Sequence, residues 1–182
     1  MEKKELRKIY KQKRNELSQN EVDKLQKSIE YQVKQLDFSG IQNIHIFLPI
    51  KKQKEIDTYS IIDFLQSKNK TIIISKSDFS NNTLTHFVFE NKSQLAINSY
   101  GIPEPTYGTV IDVKKIDLVF VPLLISDKKN FRVGYGKGFY DRFLAECIPT
   151  VKTIGLNFFE PIEKISNVNE FDIPLDSVIY PK

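Results

Sequence analysis

The chain has 182 residues with a net charge of +4, of which 40% are hydrophobic and 27% charged, a balance typical of a folded domain rather than of a disordered or fibrous chain. No apolar run approaches the roughly 20 residues that a membrane-spanning helix needs, and the Lys/Glu-rich opening is unlike a signal peptide. One cysteine and two histidines exclude a disulfide framework and a metal site built on these residues. We therefore expect one domain over residues 1–182, soluble, in the cytoplasm, with no membrane partner.

The excess positive charge lies in the first 16 residues, where seven basic side chains stand against three acidic ones. Leu6, Tyr10 and Leu17 follow the 3.6-residue period of a helix. A basic stripe runs beside them, formed by Lys4, Arg7, Lys11 and Arg14. The stripe is either an ordinary solvated helix face or a surface for an anion, since arginine is well suited to phosphate and carboxylate groups.

Helices and strands are predicted to alternate along the rest of the chain. Ser18 and Glu21 form a capping box for a second helix that ends near Leu36. The other expected elements are a strand at 43–48, a helix at 59–67, strands at 71–75, 84–89 and 116–124, a helix at 139–145, and strands at 153–156 and 177–179. The prolines and glycines of 101–109 predict a rigid irregular segment. The pattern indicates an α/β fold, a three-layer sandwich with a mostly parallel central sheet flanked by helices.

Polar residues that follow the predicted strands are candidates for a binding site, because open α/β sheets bind ligands at the carboxyl ends of their strands. Glu55 comes after the first strand and Pro49, and a carboxylate there can accept hydrogen bonds from an amino-heterocycle. For Asp57, helix capping is the alternative. His45 and His86 alternate with apolar neighbours and are interpreted as core or edge residues without a role.

Three of the seven glycines fall within five residues. They are Gly134, Gly136 and Gly138, and residues 134–138 are called the glycine loop below. Glycines let the backbone approach a ligand closely, and amides beside a helix N-terminus bind anions. With positive charge from Lys137 and Arg132, the loop predicts a phosphate site, the alternative being a flexible turn. It matches neither a P-loop, which needs Ser or Thr after the lysine, nor a dinucleotide fingerprint, which needs glycine where Phe139 stands.

Asp141 lies one turn into the helix that follows the glycine loop. Magnesium bound to a nucleotide usually takes only one or two protein carboxylates, so Asp141 is a candidate ligand, directly or through water. Capping of the helix is the alternative.

The succession of motifs resembles the 5-formyltetrahydrofolate cyclo-ligase family, also called 5,10-methenyltetrahydrofolate synthetases. The most specific match is the block 132–144 after Val121-Pro122, and weaker matches are Lys3–Arg7 with Arg14, Glu55–Thr58, Gly101–Pro105 and Phe171–Pro174. These matches keep the family's order and span nearly the whole chain. Phe139 departs from the family pattern, in which tyrosine is common, so the hydroxyl is missing while the ring can still stack.

The resemblance implies an enzyme that uses ATP and magnesium to close 5-formyltetrahydrofolate to 5,10-methenyltetrahydrofolate through a phosphorylated formyl group, with release of ADP and phosphate. It implies that ATP binds at Lys3, Lys4, Arg7, Arg132, Val133, Gly134, Tyr135, Gly136, Lys137, Gly138, Phe139 and Tyr140. It further implies folate at Ile50 and Glu55 and magnesium near Asp141 and Asp172. We assign Lys137 and Arg132 as catalytic, and we expect a monomer whose partners are the two small-molecule substrates.

Two other classes of function use the same features. One is a module that binds RNA or another polyanion through the basic helix, which the 12% aromatic content also favours. The neutral remainder of the chain and the lack of an RNA-binding motif argue against it, so no nucleic acid is expected. The other is a sugar-phosphate or CoA-ester enzyme on a related sheet, which fold alone does not distinguish.

Overall fold

The computed structural model describes all 182 residues. The helices are α1 (Lys3–Glu16), α2 (Gln19–Lys34), α3 (Tyr59–Ser67) and α4 (Phe139–Glu146). The strands are β1 (Asn43–His45), β2 (Thr71–Asp78), β3 (Thr83–Val88), β4 (Leu95–Ile97), β5 (Pro103–Pro105), β6 (Leu118–Pro122), β7 (Ile125–Ser126), β8 (Arg132–Val133), β9 (Lys152–Leu156) and β10 (Ser177–Ile179). None of the helices combines the length and the apolar character needed to cross a bilayer.

Six strands form one sheet in the order β10-β9-β6-β1-β2-β3. Every pairing in it is parallel except that of β2 with β3. In the centre, His45 of β1 lies opposite Ile73 of β2 and Val119 of β6. The predicted mostly parallel sheet is confirmed, and it places the carboxyl ends of β1, β2 and β6 at one edge.

The two faces of this sheet carry separate apolar clusters, because side chains alternate along a strand. On one face Ile44 and Ile72 pack beneath α2 and α3. On the other face Ile73 and Val119 pack against Phe143 of α4. Full burial of each such side chain contributes about 1.5–3 kcal/mol. The three-layer arrangement predicted from the sequence is thus confirmed.

Helix α1 packs beside the small antiparallel hairpin of β7 and β8. Its apolar stripe, with Leu6 and Tyr10, joins Ile125 and Val133 of the hairpin in a third cluster. Because the glycine loop begins directly after β8, this packing brings the basic N-terminal helix next to the loop. The excess charge of the chain therefore lies beside the glycines, although more than 100 residues separate them in the sequence.

Two helix starts follow the capping chemistry of the sequence. The capping box is confirmed, since Ser18 Oγ accepts from Glu21 N at 3.3 Å and the Glu21 carboxylate accepts from Ser18 N at 2.8 Å. At the start of α3, Asp57 Oδ1 accepts from Tyr59 N at 3.0 Å. The Thr58 hydroxyl donates instead to a backbone carbonyl. Asp57 therefore caps the start of α3, which was the alternative to a role in ligand binding.

Some boundaries differ from the prediction. Strand β1 ends at His45 rather than at residue 48, because the carbonyl of Phe47 accepts from the Thr58 hydroxyl at 2.6 Å as the chain leaves the sheet. Strand β2 continues to Asp78 because β3 pairs along it. The prediction of an irregular segment is wrong at 103–105, which pairs antiparallel with β4. Prolines are tolerated there because a two-stranded ribbon consists of edge strands.

Candidate active site

A cavity of about 380 Å³ lies where the carboxyl ends of the central strands meet. Phe47 and Leu48 reach it from the chain after β1, Ser75 from β2, and Pro122 from the end of β6. This is the edge at which open parallel sheets bind ligands, and the volume falls within the usual range for small-molecule sites.

All but two of the predicted site residues line this cavity. They are Lys3, Arg7, Ile50, Glu55, Arg132, Gly134, Tyr135, Gly136, Lys137, Gly138, Phe139, Tyr140, Asp141 and Asp172. Of the other two, Lys4 is exposed, and the side chain of Val133 is buried in the apolar cluster under α1. The fold thus gathers four distant segments of the chain around one cavity.

The glycine loop is held tightly by two arginines. Arg7 Nε donates to the Gly134 carbonyl at 2.9 Å, and a Cβ on Gly136 would lie 3.1 Å from the Arg7 guanidinium carbon. A Cβ on Gly138 would lie 2.8 Å from Arg142 Nη1. Gly136 and Gly138 also have positive φ values of 95° and 72°, which favour glycine. The loop is therefore a packed turn, and the alternative of a merely flexible turn does not describe it.

The backbone N–H groups of residues 134–138 donate no hydrogen bond within the protein. Gly138 is also the N-cap of α4 and makes no side-chain capping bond. Unpaired amides at a helix N-terminus, where the helix dipole is positive, form an anion-binding site. The backbone of the glycine loop can therefore bind phosphate oxygens.

The basic side chains of the cavity differ in how they are paired. The Lys3 ammonium contacts the Asp172 carboxylate, with both side chains largely buried. Arg132 Nη2 donates to Asp141 Oδ1 at 2.7 Å, and the Arg132 side chain is 6% exposed. Burial lowers the pKa of Arg132, and the charge of Asp141 raises it. Lys137, by contrast, is exposed, and its ammonium forms no ion pair or hydrogen bond.

The carboxylates of Asp141 and Asp172 fit a magnesium ion shared with phosphate. Asp141 Oδ1 accepts from Arg132 and from Ile173 N, whereas its Oδ2 accepts no hydrogen bond. Both oxygens of Asp172 contact Lys3 Nζ. Magnesium bound with a nucleotide usually takes one or two protein carboxylates together with phosphates and water. Since Asp141 accepts from no amide of the first turn of α4, the alternative that it caps the helix is wrong.

Glu55 contacts the glycine loop at Tyr135. Its Oε1 accepts from the Tyr135 hydroxyl at 2.5 Å, and its Oε2 accepts from Ile50 N at 2.8 Å. Burial raises the pKa of Glu55, while these two hydrogen bonds and the charge of Arg14 lower it. The two residues predicted for folate, Ile50 and Glu55, are therefore in direct contact. Nothing in the sequence indicated the bond to Tyr135, because the two residues are 80 positions apart.

Aromatic rings from three segments form part of the cavity wall. Phe79 stacks on Tyr100 with ring centroids 4.1 Å apart, and Phe139 meets Phe79 edge-on at 5.2 Å. Phe139 thus packs as an aromatic ring, as expected without its hydroxyl. Phe79 and Tyr100 could not be predicted as site residues, since only the β2–β3 hairpin and the β4–β5 pair bring them to the cavity. The resulting surface suits a flat heterocycle.

Two histidines that were interpreted as core residues are indeed buried. Ser75 Oγ joins them, lying 2.7 Å from His45 Nε2 and 2.9 Å from His86 Nδ1. His45 and Ser75 also line the cavity, and His45 Nδ1 is buried without a hydrogen-bond partner. The pairing of β2 with β3 places Ser75 opposite His86, and this register makes the hydrogen-bonded series His45–Ser75–His86 possible.

The buried histidines predict a loss of stability in mild acid. Burial lowers the pKa of His86 to about 4, and burial together with the nearby His86 lowers that of His45 well below its usual range. Below about pH 6.5 the unfolded chain binds protons that the folded protein excludes, so His86 alone lowers the free energy of unfolding by about 2 kcal/mol by pH 5, and His45 acts in the same direction. His86→Gln should therefore lose about 2 kcal/mol less than wild type between pH 7 and pH 5 in urea unfolding. Equal losses for both proteins would contradict this.

Comparison with known proteins agrees with the predicted resemblance. The model of the 5-formyltetrahydrofolate cyclo-ligase family matches residues 1–181. The 5-formyltetrahydrofolate cyclo-ligase of Mus musculus is 32% identical over 154 residues, which cover 79% of this chain and 75% of that protein. The enzyme of the same name from Mycoplasma genitalium is 28% identical over 183 residues, which cover 98% of both chains.

Solved structures share the whole fold. The NMR structure of 5,10-methenyltetrahydrofolate synthetase from Aquifex aeolicus has a TM-score of 0.80 at 28% identity and covers 98% of this chain and 89% of its own. The 5,10-methenyltetrahydrofolate synthetase of Mycoplasma pneumoniae has a TM-score of 0.79 at 24% identity over the full length of both chains. From the family match over residues 1–181 and the relatives that share it, we conclude that this chain belongs to the 5-formyltetrahydrofolate cyclo-ligase family.

Proposed function

We propose that the protein converts 5-formyltetrahydrofolate to 5,10-methenyltetrahydrofolate at the expense of ATP, releasing ADP and phosphate. One observation carries the proposal: a single cavity joins the unpaired amides of the glycine loop and the free ammonium of Lys137 to the carboxylate of Glu55. The first group suits a triphosphate, and the second suits the amino-heterocycle of a folate. Family membership supports the same substrate and product.

The nucleotide is proposed to bind with its phosphates on the glycine loop. Loop amides and the N-terminus of α4 receive the phosphate oxygens, and Lys137 neutralises the γ-phosphate. Arg7 holds the loop backbone through its bond to the Gly134 carbonyl. Lys3 approaches from the first turn of α1, where Asp172 faces it, so that phosphate would compete with Asp172 for its ammonium.

The folate is proposed to bind with its amino-heterocycle at Glu55. Each carboxylate oxygen has two acceptor sites, and one on each is used by Tyr135 or Ile50. The remaining two can accept from N–H groups of the ligand. The aromatic wall beside Phe139 would cover the flat ring, and the formyl group would then face the glycine loop.

The first chemical step is the transfer of the γ-phosphoryl group to the formyl oxygen. That oxygen attacks phosphorus, the bond to ADP breaks, and an imidate-like phosphate forms. Phosphoryl transfer requires alignment and neutralisation of the equatorial oxygens more than covalent help from the protein. Lys137 and the loop amides can supply the neutralising charge and the hydrogen bonds. Arg132, which lies in β8 just before the loop, orients the Asp141 carboxylate through their ion pair.

The second step closes the ring. Nitrogen 10 of the folate attacks the activated carbon, its proton is released, and the carbon–oxygen bond breaks as phosphate leaves. Both reacting atoms belong to one substrate, so holding the folate in a folded conformation is the main task of the protein. No serine or cysteine nucleophile is required. Cys147, the single cysteine, lies at the far end of α4 and does not line the cavity.

Magnesium is proposed to bind beside Asp141, with Asp172 as the second carboxylate. When bound, the ion would neutralise charge on the phosphates and orient them. The unpaired Oδ2 of Asp141 makes it the better ligand, since Asp172 is already paired with Lys3. A monomeric state and a cytoplasmic location stay predictions.

The direct test is an absorbance assay for methenyl-folate formation by the purified protein. We expect product with 5-formyltetrahydrofolate, ATP and magnesium together, and none when either ATP or magnesium is omitted. Retention of RNA in a salt-dependent manner, without ATP-dependent folate turnover, would instead support the polyanion-binding alternative.

Glu55→Gln is expected to weaken 5-formyltetrahydrofolate binding by about 10-fold and to change nucleotide affinity much less. The substitution keeps the size of the side chain but removes the charge, and hydrogen bonds to a charged group are worth about 1.5–3 kcal/mol. Calorimetry with the folate, and separately with a non-hydrolysable ATP analogue, measures both affinities. Glu16→Gln, at an exposed position of α1, is the control. An unchanged folate affinity in Glu55→Gln would remove the assignment.

A further inference from the structure

Arg14 is buried although no part of the proposed reaction uses it. It lies in the last turn of α1 and is 5% exposed. Its Nη2 donates to the Leu123 carbonyl at 2.9 Å, and its Nη1 lies 3.1 Å from the Tyr135 hydroxyl and 3.5 Å from the Gln53 carbonyl. One guanidinium thus meets the chain after β6, the glycine loop and the turn before Glu55. A buried charge is costly unless its partners are well placed.

The contact with Arg14 sets the direction of the Tyr135 hydroxyl. A guanidinium only donates hydrogen bonds, so the Tyr135 oxygen accepts from Arg14. The single phenolic proton is then available for Glu55, whose Oε1 lies 2.5 Å away. The carboxylate in turn accepts from Ile50 N. Arg14, Tyr135 and Glu55 therefore form a directed chain from α1 to the carboxylate proposed to recognise folate.

Tyr135 belongs to the glycine loop, between Gly134 and Gly136. Its hydrogen bond to Glu55 therefore joins the backbone proposed for phosphate to the side chain proposed for the heterocycle. The bond exists only while the loop and Glu55 both keep their present positions. A ligand that holds either partner in place favours the bond, and by linkage the other ligand then binds more tightly.

We propose that Arg14 is a positioning residue which, by orienting Tyr135 toward Glu55, couples nucleotide binding to folate binding. The proposal rests on the proposed function, since it takes the glycine loop as the nucleotide site and Glu55 as the folate site. It goes beyond that function because it assigns a role to two groups, the Arg14 guanidinium and the Tyr135 hydroxyl, that need touch neither reacting atom.

The measurement is the affinity of a non-hydrolysable ATP analogue, by calorimetry, with and without saturating 5-formyltetrahydrofolate. The ratio of the two dissociation constants is the coupling. In wild type we expect the folate to tighten analogue binding at least about fivefold, the lower end of common coupling energies. In Tyr135→Phe, which keeps the ring and loses the hydroxyl, we expect a ratio near one.

Tyr10→Phe is the matched control. It removes the same phenolic oxygen from α1, where the Tyr10 ring packs against Phe159 outside the cavity. This variant should keep the wild-type ratio. A loss of coupling in both tyrosine variants would indicate a general effect of destabilisation and would overturn the proposal.

Arg14→Lys tests whether Arg14 acts through Tyr135. A lysine keeps the charge, but its compact ammonium cannot replace the planar guanidinium fork at three partners. The ratio should fall toward one, and adding Tyr135→Phe to Arg14→Lys should cause no further fall. Additive effects in the double variant would contradict action through Tyr135. If Arg14→Lys fails to fold, Tyr135→Phe alone still decides the coupling.

The outcomes separate this proposal from the proposed function. If wild type forms methenyl-folate with ATP but shows a ratio of one, or if Tyr135→Phe keeps the wild-type ratio, the coupling is overturned and the activity stands. If wild type forms no methenyl-folate, the proposed function fails first. A second readout is steady-state kinetics, where Tyr135→Phe should raise the KM for each substrate more when the other is saturating.

Discussion

Lys137→Ala should lower kcat at least about 100-fold, on the scale found when one group that stabilises developing charge is removed. The Lys137 ammonium is the basic group of the cavity that neither pairs with an acid nor donates a hydrogen bond within the protein. Its charge is therefore free to meet the γ-phosphate. Because the side chain is exposed, the substitution should leave the free energy of unfolding nearly unchanged. Turnover in the methenyl-folate assay and urea unfolding measure the two effects.

Lys128→Ala is the matched control for Lys137→Ala. Lys128 is also exposed, lies before β8, and pairs at the surface with Glu163. Exposed pairs of this kind contribute at most about 1 kcal/mol, so this variant should retain its turnover. Near-normal kcat in Lys137→Ala would refute a role in charge stabilisation. If Lys137→Ala raises only the KM for ATP and leaves kcat intact, Lys137 is a binding residue and has no role in charge stabilisation.

Arg132→Met is expected to lower the free energy of unfolding by about 3 kcal/mol. Arg132 Nη1 donates to the Ile173 carbonyl at 2.6 Å and Nη2 to Asp141 at 2.7 Å. Methionine fills similar space but leaves the partly buried Asp141 carboxylate without its cation. The loss should also loosen the link between β8 and the segment around Ile173. Urea unfolding at neutral pH measures the change.

A second substitution identifies the cause of this loss. Removing one member of a buried pair costs more than removing both, because the remaining charge is left without a partner. Arg132→Met combined with Asp141→Asn should therefore be more stable than Arg132→Met alone. If the double variant is instead less stable by the sum of the two single effects, the two side chains do not act as a pair.

Lys137→Ala and Arg132→Met together distinguish the roles of the two residues that were assigned as catalytic from the sequence. Lys137 is unpaired and exposed, so its loss should affect rate and not stability. Arg132 is buried and paired with Asp141, so its loss should affect stability as well as the orientation of the proposed magnesium ligand. The sequence placed both beside the glycines and could not separate them, because pairing depends on Asp141 and on the distant carbonyl of Ile173.

Much of the site could be predicted because its signals are local. Spaced glycines, an internal lysine and a helix immediately afterwards predict an anion site from a few consecutive residues. Hydrophobic residues repeat with different periods in helices and in strands, and the alternation of the two elements predicted the layers and the parallel sheet. Phe139 could be identified as a departure from the family pattern for the same reason, since the comparison involves a single position in a contiguous block.

The rest of the site depends on contacts that no local pattern encodes. Phe79 and Tyr100 meet because two separate strand pairs end near each other. His45 and His86 are linked through Ser75 by strand register, so an interpretation of each histidine alone missed the connection. The strand at 103–105 was missed because its pairing with β4 outweighs the local preference of proline for irregular structure.

The composition and the order of short motifs were sufficient to establish the class of fold, the place of the glycine loop, and a family resemblance that comparison then confirmed. Hydrophobic periodicity and the backbone preferences of glycine act over a few residues, so both can be recognised in the sequence directly. The chain of Arg14, Tyr135 and Glu55, the pairing of Arg132, and the freedom of Lys137 emerged from packing alone. Each depends on the distance between segments far apart in the chain, and that distance is set by the sum of many weak contacts in the core.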